Sequence, residues 1–144
     1  MAELVVTQEI DAPAEKAWDA IVDWDRQSDW MIGTQVRATT QDGVGVNGGL
    51  EAFTGVGPLG FLDTMVITQW DPPRRCVVKH VGGVVRGAGA FEVQALPDGR
   101  SRVIWSEWVE LPLGLLGQVG WLLVRPAMRL GFQASLKRMA RDLA

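Results

Sequence analysis

The chain closes on LPLGLLGQVGWLLVRPAMRLGFQASLKRMARDL, Leu111 to Leu143, and this stretch decides the fold. From Leu111 to Val124 its only polar side chain is Gln118. That run is too short to cross a bilayer, which takes about 20 apolar residues, and Arg125-Pro126 interrupts it. A helix that is apolar all round is expected to be buried, so residues 114–143 read as one long helix that the rest of the chain covers. Past Pro126, where a kink is expected, Ala127, Leu130, Ala134 and Leu136 or Met139 continue an apolar stripe. Arg125, Arg129, Lys137, Arg138 and Arg141 make the other face basic, which suits the negative end of a helix.

The segments before this helix read mostly as strands. Leu4 to Ile10 alternates, with Leu4, Val6, Gln8 and Ile10 on one face. Asp11-Ala12-Pro13-Ala14-Glu15 then opens a helix, with Asp11 as the expected N-cap and Pro13 in the first turn. Ala14, Ala17, Trp18, Ile21 and Val22 recur at helical spacing, and a second short helix is expected over Asp25 to Trp30. Strands follow over 35–40, 50–54, 63–70, 75–81, 87–95 and 102–111, separated by glycine- and proline-rich turns. Residues 43–48 formally match the dinucleotide fingerprint G-x-G-x-x-G, but a strand follows where that motif needs a helix start, so a hairpin is the better reading. A half-polar sheet and one greasy helix bury most apolar surface when the sheet wraps the helix. A hollow between the two is where function is expected.

Composition narrows the classes. The 144 residues suit one domain over 1–144, and 47% hydrophobic residues are enough for a core. A net charge of −3 argues against nucleic acid as partner, which calls for a concentrated basic surface. Cys76 and His80 are each the single residue of their kind, so no disulfide within the chain, no cysteine zinc site and no metal or cofactor is expected. The acidic, immediately strand-like start carries no secretory pattern, and a cytoplasmic location is expected. Seven Trp stand against four Phe and no Tyr, which suits both a small core and an aromatic-lined pocket.

The order of these signals resembles the START/Bet v 1-like (SRPBCC) helix-grip superfamily, in its polyketide cyclase/dehydrase and lipid-transfer branch found in bacteria. Ile10-Asp11-Ala12-Pro13-Ala14-Glu15-Lys16-Ala17-Trp18 is similar to an I-x-A-P-x-E-x-V-W opening. Trp70-Asp71-Pro72-Pro73-Arg74-Arg75 is similar to a W-x-P-P-x-R turn. Trp30, Gly87-x-Gly89-x-Phe91 and Arg102-Val103-x-Trp105 complete the pattern across essentially the whole chain. The resemblance implies an α+β helix-grip fold: a curved seven-stranded antiparallel sheet around the long C-terminal helix, with two short helices after the first strand. It also implies a ligand between sheet and helix. It does not select an activity, because the superfamily hosts carriers, cyclases, dehydratases and chaperone regulators.

Glu107 shares a strand face with Val103, Trp105, Val109 and Leu111. If that face is concave, Glu107 can act as acid or base or hold a ligand hydroxyl; otherwise it reaches solvent or an arginine of the last helix. His80 and Arg86 are the other catalytic candidates, although a lone histidine is more often a satisfied structural residue and a loop arginine is usually solvated. Asp63 reads as a surface charge, and a Cys76–His80 nucleophile is disfavoured. The expected pocket lining is Trp30, Phe53, Met65, Phe91, Trp105, Glu107, Leu115, Val119, Leu122, Met128 and Phe132. Ile104 and Trp108 fall on the opposite face and suggest a homodimer contact. The leading reading is binding or transport of a small hydrophobic ligand such as a lipid, polyketide or isoprenoid. The rivals are a polyketide cyclase, aromatase or dehydratase using Glu107, and a carrier or interaction protein that touches membranes transiently through Leu111 to Val124.

Overall fold

The computed structural model describes residues 2–56, 58–111 and 113–144. The elements are β1 (Ala2–Ile10), α1 (Ala14–Val22), a 3-10 helix (Trp24–Asp29), β2 (Thr34–Thr40), β3 (Gly49–Val56), β4 (Leu59–Asp71), β5 (Arg75–Val81), β6 (Arg86–Ala95), β7 (Ser101–Val109) and α2 (Leu115–Leu143). One antiparallel seven-stranded sheet runs β1-β7-β6-β5-β4-β3-β2. Short turns join β2 through β7, so sequence neighbours are also sheet neighbours. Only β1 leaves that order, crossing to pair with β7.

Alternation carries the sheet. In β1, Ala2, Leu4, Val6 and Ile10 are buried, while Glu3, Thr7 and Glu9 face water. In β7, Ser101, Val103 and Trp105 are buried. The register makes rows across the inner face: Cys76, Phe91, Trp105 and Val6 form one, and Val78, Gly89, Glu107 and Leu4 the next. β4 begins earlier than the sequence reading placed it, because Leu59 to Leu62 pair with Val56 to Phe53 in a long hairpin.

α1 starts with Pro13 as its cap residue, not Asp11. Asp11 instead accepts a hydrogen bond from Arg100 at 2.8 Å, and Ser101 Oγ donates to the Ala12 carbonyl at 2.8 Å. Both contacts tie the α1 start to the β6–β7 turn. The aromatic residues of the separate sequence motifs meet in the core. Trp18 packs edge-on against Trp70 with ring centroids 5.2 Å apart, and Trp30 packs edge-on against Phe91 and Trp105.

α2 is held through its C-terminal half. Leu136 and Met139 are fully buried, and Phe132 stacks on Trp105 at 4.0 Å. Arg129 donates to the Val5 carbonyl and Gln133 to the Thr7 carbonyl and the Gln8 side chain. These polar side chains occupy backbone acceptors along edge strand β1, which would otherwise invite a foreign strand. Ser135 Oγ accepts from the Ile32 backbone and donates to Gly131, joining the helix to the opposite side of the sheet. The helix runs on through Pro126.

The expectation that the apolar first half of α2 is buried is overturned. Leu115, Leu116, Leu122 and Leu123 are each 70–78% exposed. The sheet grips the helix from Arg129 to Met139, and the leucines of the first turns lie outside that contact. The contact patch expected at Ile104 and Trp108 is half-buried, and the Trp108 indole donates to Glu3 at 2.7 Å.

Candidate functional site

A cavity of about 580 Å³ lies between the inner face of the sheet and α2. Its walls come from every strand of β2 to β7, from the 3-10 helix and from α2. Most of the lining is apolar: Val36, Leu50, Met65, Val78, Phe91, Met128 and Phe132 are representative. Ile32, Phe61, Val84 and Val124 line it while remaining 39–68% exposed, so the cavity opens to solvent through an apolar rim.

One polar cluster stands in this wall. His80 Nδ1 is 2.9 Å from Asp63 Oδ1, and His80 Nε2 is 2.9 Å from Glu107 Oε2. The Trp105 indole donates to Glu107 Oε1 at 3.1 Å. The side chains of His80, Asp63 and Glu107 are only 5%, 13% and 15% exposed. Strand register builds the cluster: His80 on β5 sits opposite Met65 on β4, two residues from Asp63, and Glu107 on β7 sits opposite Gly89 on β6. Gly89 leaves the room for this, because a Cβ there would fall 2.8–3.0 Å from the Glu107 carboxylate and displace it. The missing side chain lets Glu107 lie across β6 and reach β5.

Burial opposes a charge on His80, but hydrogen bonds to Asp63 and Glu107 and the two negative charges outweigh it and raise the imidazolium pKa to about 10. Both ring nitrogens are committed to carboxylates, so His80 has no free nitrogen to act as a base. Burial pushes the Cys76 thiol up to about 12, which removes it as a nucleophile at neutral pH. Among the described residues no cluster of His, Cys, Asp and Glu is arranged to hold a metal ion.

Of the residues expected to line a pocket, Met65, Phe91, Trp105, Glu107, Met128 and Phe132 do so together. Trp30 is buried behind the wall, with no partner for its indole nitrogen among the described residues. Phe53, Leu115, Val119 and Leu122 are exposed and lie outside the cavity. On α2 the facing residues are instead Trp121 and Val124. Arg86 does not line the cavity; it lies with Lys79 in an adjoining depression that shares His80 and Glu110 with the cavity wall. Asp63, expected to be a surface charge, instead lines the cavity and bonds His80. Its only signal was its even spacing from Met65, which places both on one strand face.

A sheet curled around a helix, with an apolar hollow and one buried polar cluster between them, defines a class of cavity-bearing α+β proteins. The comparisons agree: the sequence matches the family described as polyketide cyclase/dehydrase and lipid transport over residues 1–144, and the chain belongs to that family. No curated protein matches the sequence. Among solved structures, TTHA0849 from Thermus thermophilus superimposes with a TM-score of 0.80 at 18% identity, covering 99% of this chain and 97% of that one. Aha1 from Colwellia psychrerythraea, a dimer in solution, gives 0.70 at 14% identity, covering 99% and 96%. DR_A0006 from Deinococcus radiodurans gives 0.70 at 12% identity, covering 98% and 96%. At these identities the likeness shows the fold alone: the seven-stranded helix-grip arrangement. No helix among the described residues is long and apolar enough to cross a membrane.

Proposed function

We propose that this protein binds a small, largely apolar molecule in the cavity between the sheet and α2. The observation that carries this reading is an apolar cavity of about 580 Å³ with one polar cluster on its wall. That volume lies within the range of small-molecule sites, where apolar burial supplies affinity and a few polar groups fix orientation. A lipid, a polyketide or an isoprenoid meets these terms. Native mass spectrometry of the purified protein, followed by solvent extraction, tests the reading. A co-purifying apolar molecule supports it. Failure of both the purified protein and added Nile red to show a bound species would overturn it.

A cyclase or dehydratase is the rival reading, supported by Glu107, Asp63 and His80 sharing the cavity wall. It requires Glu107 to exchange a proton with substrate while bonded to His80 and Trp105. A transient membrane contact is supported separately by the exposed leucines of α2 beside the apolar rim. Liposome co-sedimentation that survives Leu116→Asp and Leu123→Asp together would rule that contact out.

A further inference from the structure

We infer that the cavity selects an uncharged ligand bearing a hydroxyl donor, an alcohol or phenol on an apolar skeleton, and rejects carboxylates of the same shape. This rests on the binding reading above and adds the chemistry of the polar end.

His80 makes two contacts of 2.9 Å to carboxylate oxygens, and each needs one proton between its atoms. Two protons shared among an imidazole ring and two carboxylates leave a net charge of −1, wherever along the contacts those protons sit. Among the described residues no lysine or arginine lines the cavity; Lys79 and Arg86 stand with the exposed Glu110 in the adjoining depression. An anionic head group would therefore enter a low-dielectric hollow of its own sign, which is strongly unfavourable.

The donors of the cluster are already in use. Both N–H groups of His80 and the Trp105 indole N–H are spent on carboxylates. The Trp24 indole donates to Gly43, Gln27 to Ile21 and Ser135 to Gly131. Asp63 and Glu107, by contrast, keep lone pairs beyond those that their partners use. Thr34 and Thr54 bond each other and Thr34 reaches the Ile32 carbonyl, while the Trp121 indole lines the cavity from α2 without a partner among the described residues. The His80 cluster itself offers acceptors, and a ligand meets it by bringing a donor. A hydroxyl brings one with little desolvation cost, whereas its methyl ether brings none and leaves those remaining lone pairs dry and without a donor.

The test is displacement of Nile red at neutral pH by matched probes: decanol, decyl methyl ether and decanoate, with naphthol and methoxynaphthalene as a ring-shaped pair. The hydroxyl member of at least one pair is expected to bind about tenfold or more tightly than its ether, the scale of one charge-assisted hydrogen bond. Decanoate is expected to bind more weakly than decanol. The pair with the tighter hydroxyl member identifies a chain or a ring as the skeleton. Asp63→Asn, which takes one negative charge from the cluster as long as His80 stays protonated, is expected to narrow the gap between decanol and decanoate. Glu107→Gln serves the same purpose should the first variant fail to fold. Ethers that match their hydroxyl partners, or decanoate that matches decanol, would overturn the selectivity while leaving the binding site intact. Nile red that never binds would instead sink the binding reading itself.

Discussion

His80 holds the charge balance of the cavity wall, and its two bonds make it the residue most sensitive to pH. Its pKa is raised from 6.5 to about 10 in the folded protein. Below pH 6.5 the imidazole is protonated in both folded and unfolded chains, so the stabilisation from its pairing is fully present. As pH rises through about 10 the folded imidazolium deprotonates, and that stabilisation is lost. Urea midpoints are therefore expected to fall across this window, and His80→Gln is expected to flatten the fall. Cys76 is common to both proteins, so the difference isolates the histidine. The variant itself should be less stable at neutral pH by about 3–5 kcal/mol, the cost of leaving buried carboxylates without their partner. Gly89→Ala probes the same cluster from the other side. Its Cβ pushes Glu107 off His80 or Trp105, for a loss of about 1–3 kcal/mol in urea unfolding and a shift in tryptophan emission.

Within elements, α2 joins two different environments in one continuous helix. Leu136 is 0% exposed and Leu122 70% exposed, although both are leucines on the same helix. Leu136→Ala is expected to cost about 2–5 kcal/mol by opening a cavity in the core. Leu122→Ala should stay within about 0.5 kcal/mol, as surface changes do. Thermal or urea unfolding of the pair checks whether the grip is confined to the C-terminal half. Gln133→Ala removes two bonds to the β1 edge, and it should cost about 1 kcal/mol and speed hydrogen exchange in β1. Apolar pattern alone could not separate the halves of α2. A run such as Leu115 to Val124 says that burial would be favourable, but not whether another surface reaches it.

Across the whole molecule, the cavity lies between the sheet and a helix that is fastened along its C-terminal half. Arg129 and Gln133 dock on β1, and Ser135 docks on the loop before β2. Val78, Ala52 and Gly89 line the wall between these contacts with small side chains. Val78→Trp should fill that space. Nile red affinity is expected to fall about tenfold or more, a change of roughly 1.4 kcal/mol or above, while circular dichroism reports an unchanged fold. Retained affinity in a folded variant would place the bound molecule elsewhere.

The sequence by itself determined the order of elements, the turns and the closing helix. These depend on local alternation, on proline and glycine in turns, and on helical spacing, all of which can be read along the chain. The motif tryptophans were legible for the same reason, and they form the core: Trp18 meets Trp70, and Trp30 meets Trp105. Tertiary structure alone decided the chemistry of the site. Asp63 and Glu107 lie 17 and 27 residues from His80 and meet it only through strand register and the gap left by Gly89. Local sequence sets how the backbone runs and which residues share a face. Which face closes over a hollow, and which charges are brought into contact there, depends on the packing of distant elements against one another.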